Sequence, residues 1–517
     1  MRKATVPRTR GGSAQGTAMA GVPREAAPAC VSFDAHDARE PRAVCGCYDV
    51  VVIGGGASGL AAAIAAARSG ARAVVLERDV VCGLPILATG NGRCNVGNAR
   101  LDPARYRDAA AVRAVMGPRP EAELSSFFDS LGLMTCEIEG RLYPVTRRAA
   151  TVRDVLLAAC ARAGAELRAG CELERASYDE ACGLWLLEAT VPTRPPRVEA
   201  DAQGRLGLRR ARRALSAASR ERAIITARRV VLAPGGRSQR LCDLFGLPHG
   251  EEVPVLCPVA CELDLPTVPP AGLGDLDGLR VEAAVSLIRH GDIVYREEGE
   301  VLFRPYGISG IAAFDLSRRV EPGDALELDL FPGMDMGAFI GRLRAREDAI
   351  GPFTGADVAW LDGVLACPLA RVVLAMTAAD VRPLADGMRG DALTRLALLL
   401  KSLPLRVQGL AEQGQAQVRR GGVPLETVDL ATLEMKPPVA PALHVCGEAL
   451  DQDADCGGYN LAWAWLSGLR AGRAAARAAT GGVSADTTGD SGTAEEDARG
   501  AEPAAVASAA FDEEPRP

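Results

Sequence analysis

Tyr48-Asp49-Val50-Val51-Val52-Ile53-Gly54-Gly55-Gly56-Ala57-Ser58-Gly59 is the stretch whose reading decides the fold of this chain. An apolar strand, Val50–Ile53, runs into Gly54, Gly56 and Gly59 at G-x-G-x-x-G spacing. An alanine-rich helix follows, and a second apolar run, Ala73–Leu76, closes on Glu77. Each part serves dinucleotide binding: Gly54 permits the tight turn, Gly56 lets the backbone approach a pyrophosphate, and Gly59 allows close helix–strand packing. The helix opening at Ala57 and Ser58 offers free N–H groups and a positive dipole end to that pyrophosphate. Glu77, followed by Arg78, lies where a carboxylate accepts hydrogen bonds from ribose hydroxyls.

Working outward, 517 residues suffice for two or three domains. Of these, 48% are hydrophobic and only 4% aromatic, and the sole lysines are Lys3, Lys401 and Lys436. The net charge of −7 is uneven. Residues 481–517 carry −7, residues 1–47 carry +3, and the remainder carries −3. So balanced a core makes neither nucleic acid nor a membrane the expected main partner. The 15 cysteines include no C-x-x-C pair, and none of the four histidines, His36, His249, His290 and His444, is spaced with them as zinc ligands would be. No metal site is expected, and most cysteines read as buried thiols of a reducing cytoplasm. No apolar run approaches the length of a membrane span.

Residues 1–47 and 481–517 read as disordered extensions, the second acidic. The first helix is expected over Ser58–Ser69 with Gly70 as its C-terminal cap. Another is expected over Thr151–Ala163, then a β-meander of Glu166–Arg168, Glu172–Tyr178 and Leu184–Val191. Residues 194–222 hold nine arginines against three acids without an aromatic, and read as a solvated loop. Ile224–Leu232 is a strong strand ending in Ala233-Pro234-Gly235-Gly236, strand-like segments resume near Arg406–Val418, and Ala442–Cys446 leads into Gly447-Glu448. The expected fold class is α/β: a Rossmann-type dinucleotide-binding domain with an inserted β-barrel-like domain and a smaller helical insert. The expected boundaries are 48–250 with 436–480 for the Rossmann domain, 251–332 with 402–435 for the barrel, and 333–401 for the helical insert.

A single fingerprint without a redox cysteine pair disfavours the pyridine-nucleotide–disulfide reductases. The strand ends at Gly235 and Gly447-Glu448 resemble the second and third segments of two-domain FAD proteins. Gly457-Gly458-Tyr459-Asn460 then opens a helix whose dipole would face the flavin. More specific blocks are Thr89-Gly90-Asn91-Gly92-Arg93-Cys94-Asn95, Gly140–Pro144, Tyr306–Gly310, Gly421–Pro424 and Cys456–Leu461. In this order the chain resembles the bacterial FAD-dependent family that includes aminoacetone oxidase-like proteins and dehydro-bile-acid reductases. The likeness runs from about Tyr48 to Ala479. Four places depart from that pattern. The glycine-rich loop after Gly236 is shortened, and Pro234 replaces a threonine. Gly83-Leu84-Pro85 replaces a basic pair, and Arg304-Pro305 replaces a polar pair.

The resemblance implies FAD, with Gly92, Arg93, Cys94 and Asn95 lining the flavin, Gly235 in the second FAD-holding segment, and Gly447-Glu448 in the third, where the acid can bind the ribityl chain. Gly458, Tyr459, Asn460 and Leu461 would complete the set. Cys94 has no histidine base nearby in sequence and reads as a packed thiol. Tyr143 and Tyr459 are either proton donors or packing aromatics, so no catalytic residue is assigned. The expected activity is hydride transfer between flavin N5 and a small or steroid-like substrate, with NAD(P)H as reductant. A flavin monooxygenase is the alternative enzyme, and an FAD-bearing RNA-binding or scaffold protein the alternative outside catalysis.

Overall fold

The computed structural model describes residues 44–201, 206–264, 272–355, 357–379 and 391–481. Its centre is a seven-stranded sheet. Val44–Ile53 pairs in parallel with Ala73–Glu77 on one side and Arg220–Leu232 on the other. Glu166–Ala169 extends the parallel edge beyond Ala73–Glu77. The strand Arg220–Leu232 is 13 residues long and divides its second edge. Its first part pairs antiparallel with Leu184–Pro192, its last residues in parallel with Leu443–Val445. Glu172–Asp179 completes the far edge.

Helix Ala57–Arg68 covers one face, and its side chains from Ser58 to Ala66 are all buried. A helix this rich in alanine can be approached closely. The 22-residue closing helix Tyr459–Thr480 does so through Gly468 and Gly472. A Cβ on Gly468 would lie 2.3 Å from the Ser58 carbonyl oxygen, and one on Gly472 2.2 Å from that of Ala62. The helices therefore touch backbone to backbone, a separation that only glycine allows.

The second body is a closed barrel, in the order Val259–Leu263, Gly307–Ser309, Asp292–Arg304, Arg280–Arg289, Ala325–Asp329 and Leu403–Leu410. Helices Met336–Ile350, Cys367–Ala379 and Ala392–Lys401 pack on it around Phe339, Leu361, Val372 and Leu396. This core is separate from that of the Rossmann domain.

Several local expectations need correction. Glu166–Ala169 is not part of a meander: its apolar residues complete the parallel sheet beside Ala73–Glu77. Residues 194–222 are not all loop, because Leu208–Ala217 is helical and the next strand starts at Arg220. Arginine is a good helix former, and a run without glycine or proline forms a turn readily. The first strand begins at Val44, inside the expected extension, as it continues along Ala223–Ala227. The strand-like segments expected near Arg406–Val418 are Leu403–Leu410 in the barrel and Val418–Gly422, which pairs outside it with Gly250–Val255. Val423, Val428, Leu433 and Met435, expected with the barrel, pack into the Rossmann core. The extensions expected over residues 1–43 and 482–517 lie outside the described residues.

Gly468→Ala is expected to lose about 1–3 kcal/mol of stability by overpacking the helix pair. Gly341→Ala, in the exposed interior of Met336–Ile350 where a Cβ meets nothing within 4 Å, is expected to gain about 0.5–1 kcal/mol. Urea unfolding of both variants checks the contrast in sign.

Candidate active site

The parallel strands end together. The Ala233 N–H bonds the Ile53 carbonyl at 2.9 Å, and the Cys446 N–H bonds that of Leu232 at 3.0 Å. The turns that follow each strand therefore lie side by side. Gly54 has a φ of +104°, and a Cβ there would stand 2.3 Å from the Ala233 oxygen. A Cβ on Gly59 would stand 1.9 Å from the Gly54 oxygen. Gly56 is different: a Cβ there meets nothing within 4 Å. It is the N-cap of helix Ala57–Arg68, which has neither a side-chain cap nor an acid in its first turn. Chain packing explains two of the three glycines, while Gly56 faces open space at an uncapped helix end, as an approaching anion requires.

Glu77 is held by two backbone N–H groups. Gly55 donates to its Oε2 and Asp79 to its Oε1, each at 2.8 Å. Both oxygens keep a lone pair for hydroxyl donors. Arg78 is exposed beside it. Asp79 is gripped by Arg212 from helix Leu208–Ala217, and this hydrogen bond lowers the Asp79 pKa.

The other end of the site is built where Gly90–Asn95 meets the closing helix. Gly90, Asn91, Gly92 and Cys94 all have positive φ, so the loop coils tightly. Gly458 caps the closing helix with a φ of +99°, and again no acid occupies the first turn. A Cβ on Gly458 would be 2.3 Å from the Gly97 oxygen and 2.8 Å from Asn95 Oδ1. That Asn95 oxygen is buried and has no hydrogen-bond partner. An orphaned acceptor beside an uncapped helix N-terminus fits a ligand edge carrying N–H donors and anionic acceptors, as an isoalloxazine does.

Between these ends, Gly235 has a φ of +74° with nothing within 4 Å of a Cβ. A Cβ on Gly236 would stand 2.2 Å from Glu448 Oε1. Gly447 lies on Ser58, its N–H bonded to Ser467 Oγ and its carbonyl to Trp463 Nε1, both at 3.0 Å. Glu448 Oε1 accepts the Arg419 N–H at 2.7 Å. Burial pushes the Glu448 carboxyl up to about 7, a rise that these backbone donors and the Arg419 charge oppose and nearby Glu252 assists.

Comparison with known proteins agrees with the two-domain fold. The family model described as the HI0933-like protein Rossmann domain matches residues 48–190, and the model for the HI0933-like barrel and H2TH domain matches 257–418. A 3-dehydro-bile acid delta(4,6)-reductase of Clostridium scindens is 30% identical over 441 residues, 82% of this chain and 98% of that protein. The chain belongs to the HI0933-like family of FAD-dependent oxidoreductases. Ribosomal RNA dihydrouridine synthases of Escherichia coli and Haemophilus influenzae are 24% and 22% identical, each over 81% of this chain and 96% of that protein. No helix among the described residues is long and apolar enough to cross a membrane.

Within this family member, the expected site residues take different stations. Gly54, Gly56, Gly59 and Glu77 form one end, with Ala57 half-buried in the first turn and Ser58 buried under Gly447. Arg93 is exposed, its guanidinium 5.6 Å from the centre of the Tyr143 ring. Cys94 points into the core, and burial pushes its thiol up to about 11, so it is no nucleophile at neutral pH. Tyr459 packs edge-on against Tyr106 at 5.7 Å. The Asn460 amide is occupied by the Ala454 N–H and the carbonyls of Ala454 and Asp455, and Leu461 packs on the core. Sequence reasoning missed Asn98, which donates to the Gly457 carbonyl at 3.0 Å, as well as Ser467 and Trp463. The second asparagine of Cys94-Asn95-Val96-Gly97-Asn98 was the visible signal for the first of these.

Gly56→Ala is expected to leave the unfolding midpoint of the flavin-free protein unchanged and weaken FAD binding at least about tenfold, since the new methyl group enters only ligand space. Flavin fluorescence titration and thermal melts read the two effects separately. For Glu448, a folded pKa above the ordinary value means its stabilising contribution is complete below about pH 4 and is lost as pH rises through about 7. Glu448→Gln is therefore expected to flatten the fall in stability of the flavin-free protein between pH 5 and 8, by on the order of 2–3 kcal/mol. Urea midpoints across that range test it.

Proposed function

We propose that this protein reduces an activated carbon–carbon double bond in a small or steroid-like substrate, using FAD as hydride carrier and NAD(P)H as reductant. The supporting observation is the pair of uncapped helix N-termini at Gly56 and Gly458, one beside open space and the other beside the orphaned Asn95 oxygen. One suits a pyrophosphate, the other the polar edge of a flavin. The relatives' names support the same chemistry. A delta(4,6)-reductase saturates ring double bonds, and dihydrouridine is uridine with its ring double bond saturated.

Bound at this site, FAD supplies a reversible hydride acceptor and donor. Gly54, Gly56 and the first turn at Ala57 would hold the pyrophosphate, and Glu77 the adenosine ribose. Gly235, Gly447 and Glu448 would lie along the ribityl chain, with Gly92–Asn95 and Gly457–Leu461 around the ring system. The dipole of helix Tyr459–Thr480 would stabilise negative charge on the reduced ring system. Absence of a second nucleotide fingerprint supports NAD(P)H docking without a Rossmann domain of its own.

Purified protein is expected to show a flavin absorption spectrum that bleaches on anaerobic addition of NADH or NADPH. An enone or uracil substrate should then restore the oxidised spectrum with one equivalent of saturated product. Bleaching by neither nucleotide sinks the reductant assignment. Oxygen consumed in step with substrate hydroxylation would replace the reductase reading with a monooxygenase.

A further inference from the structure

The segment Asp451–Gly458, which leads into the closing helix, is held by a dense set of charges, with Arg318 and Arg319 reaching it from the barrel side. Arg318 Nε lies 2.7 Å from Asp453 Oδ2, and the same guanidinium bonds Asp455. Arg420 reaches Asp453 at 2.8 Å, and Arg319 reaches Asp455 at 3.1 Å. Arg105 bridges Asp455 at 3.4 Å to Glu297 at 3.3 Å, and Tyr295 donates to Glu297 at 2.5 Å. Asp453 and Asp455 are each only 1% exposed. Within this set one carboxylate has no ion-pair partner shown: Asp315, on barrel helix Ile311–Ser317, accepts the Cys456 N–H at 2.5 Å. The next two residues, Gly457 and Gly458, have φ of +116° and +99° and form the turn on which Asn95 and Asn98 converge.

Resting on the FAD reading above, we infer that Asp315 is a positioning residue for the flavin, setting the Cys456–Gly458 turn from the barrel side through its bond to the Cys456 N–H. Three considerations support it. Gly457 and Gly458 lack side chains, so the turn is located by its backbone bonds: Asn98 to the Gly457 carbonyl, and Asp315 one residue earlier. Asp315 is 2% exposed, so water cannot satisfy its carboxyl and the bond to the Cys456 N–H is costly to break. The neighbouring arginines, Arg318 and Arg319, pair with the carboxylates of Asp453 and Asp455, while Arg319 touches Asp315 only at its backbone carbonyl, so the Asp315 carboxylate is left to the backbone N–H and thiol of Cys456. Burial, with Asp455 and Glu297 adding repulsion against the Cys456 N–H, pushes its carboxyl up to about 7. Asparagine, with the same reach and a carbonyl acceptor, therefore copies its uncharged form.

The test compares Asp315→Asn, Asp315→Glu and Asp315→Ala in the full chain, by FAD fluorescence titration, flavin midpoint potential and thermal melting. Asp315→Asn is expected to bind FAD within about threefold of wild type with an unchanged potential. Asp315→Glu pushes the turn by one methylene, and Asp315→Ala releases it. Both are expected to raise the FAD Kd at least about tenfold and to shift the potential of the flavin still bound. If Asp315→Ala does not fold, the Asn and Glu pair carries the comparison. Wild-type affinity and potential in Asp315→Glu would overturn the inference, even with a lowered melting temperature, for that is what a purely structural role predicts. A wild-type protein that binds no flavin would instead overturn the FAD reading itself.

Discussion

The contact on which the rest depends is the backbone-to-backbone packing of helix Ala57–Arg68 against helix Tyr459–Thr480. Gly468 and Gly472 sit on the carbonyls of Ser58 and Ala62, at distances no side chain would permit. The two helices come from opposite ends of the sequence, and their contact brings the last segment of the chain onto the first. It also sets Gly447 against Ser58, tied by Ser467 and Trp463. The result is two uncapped N-termini on one side of the sheet, Gly56 at one and Gly458 at the other.

The barrel is joined to this frame by charge as well as by a small apolar cluster of Val255, Leu256 and Val418 with Phe314 and Cys456. Arg318, Arg319, Arg105 and Arg420 surround Asp453 and Asp455, which are almost wholly removed from water. Desolvating so many ions is costly, and an apolar cluster of the same volume would hold the domains at least as firmly. What ion pairs offer is direction: each guanidinium fork accepts a carboxylate in few orientations. That directional hold falls on the residues immediately before the Gly457-Gly458 turn, where a small displacement would be felt by a bound cofactor.

Much of the Rossmann domain was legible because its glycines carry distinct physical duties. Gly54 and Gly59 are demanded by chain crowding, whereas a Cβ on Gly56 meets nothing within 4 Å, so no protein neighbour accounts for that glycine. The barrel strands and the helical insert were also visible in their periodicity. Edges were harder to read. Glu166–Ala169 could have paired with either neighbour, since a four-residue segment has too little pattern to choose between a meander and a parallel edge. The arginine-rich stretch concealed a helix whose apolar face, Leu208, Ala211 and Leu215 opposite Arg209, Arg210, Arg212 and Arg213, is confined to one ten-residue segment and was outweighed by the charge of the whole run.

The sequence by itself determined that this chain has one dinucleotide fingerprint, a Rossmann sheet interrupted by a barrel, and glycine-rich turns at three separated strand ends. Local φ preference and hydrophobic period are properties of short segments, so they survive in a linear reading. Only the tertiary structure decided which groups remain unsatisfied. Asn460, which looked like a cofactor ligand, spends its amide on Ala454 and Asp455, while Asn95 keeps a buried oxygen free. Asp315 acquired its place through a bond to a residue 141 positions away. Whether a polar group is satisfied depends on every neighbour that folding brings to it, and no segment of sequence contains them all.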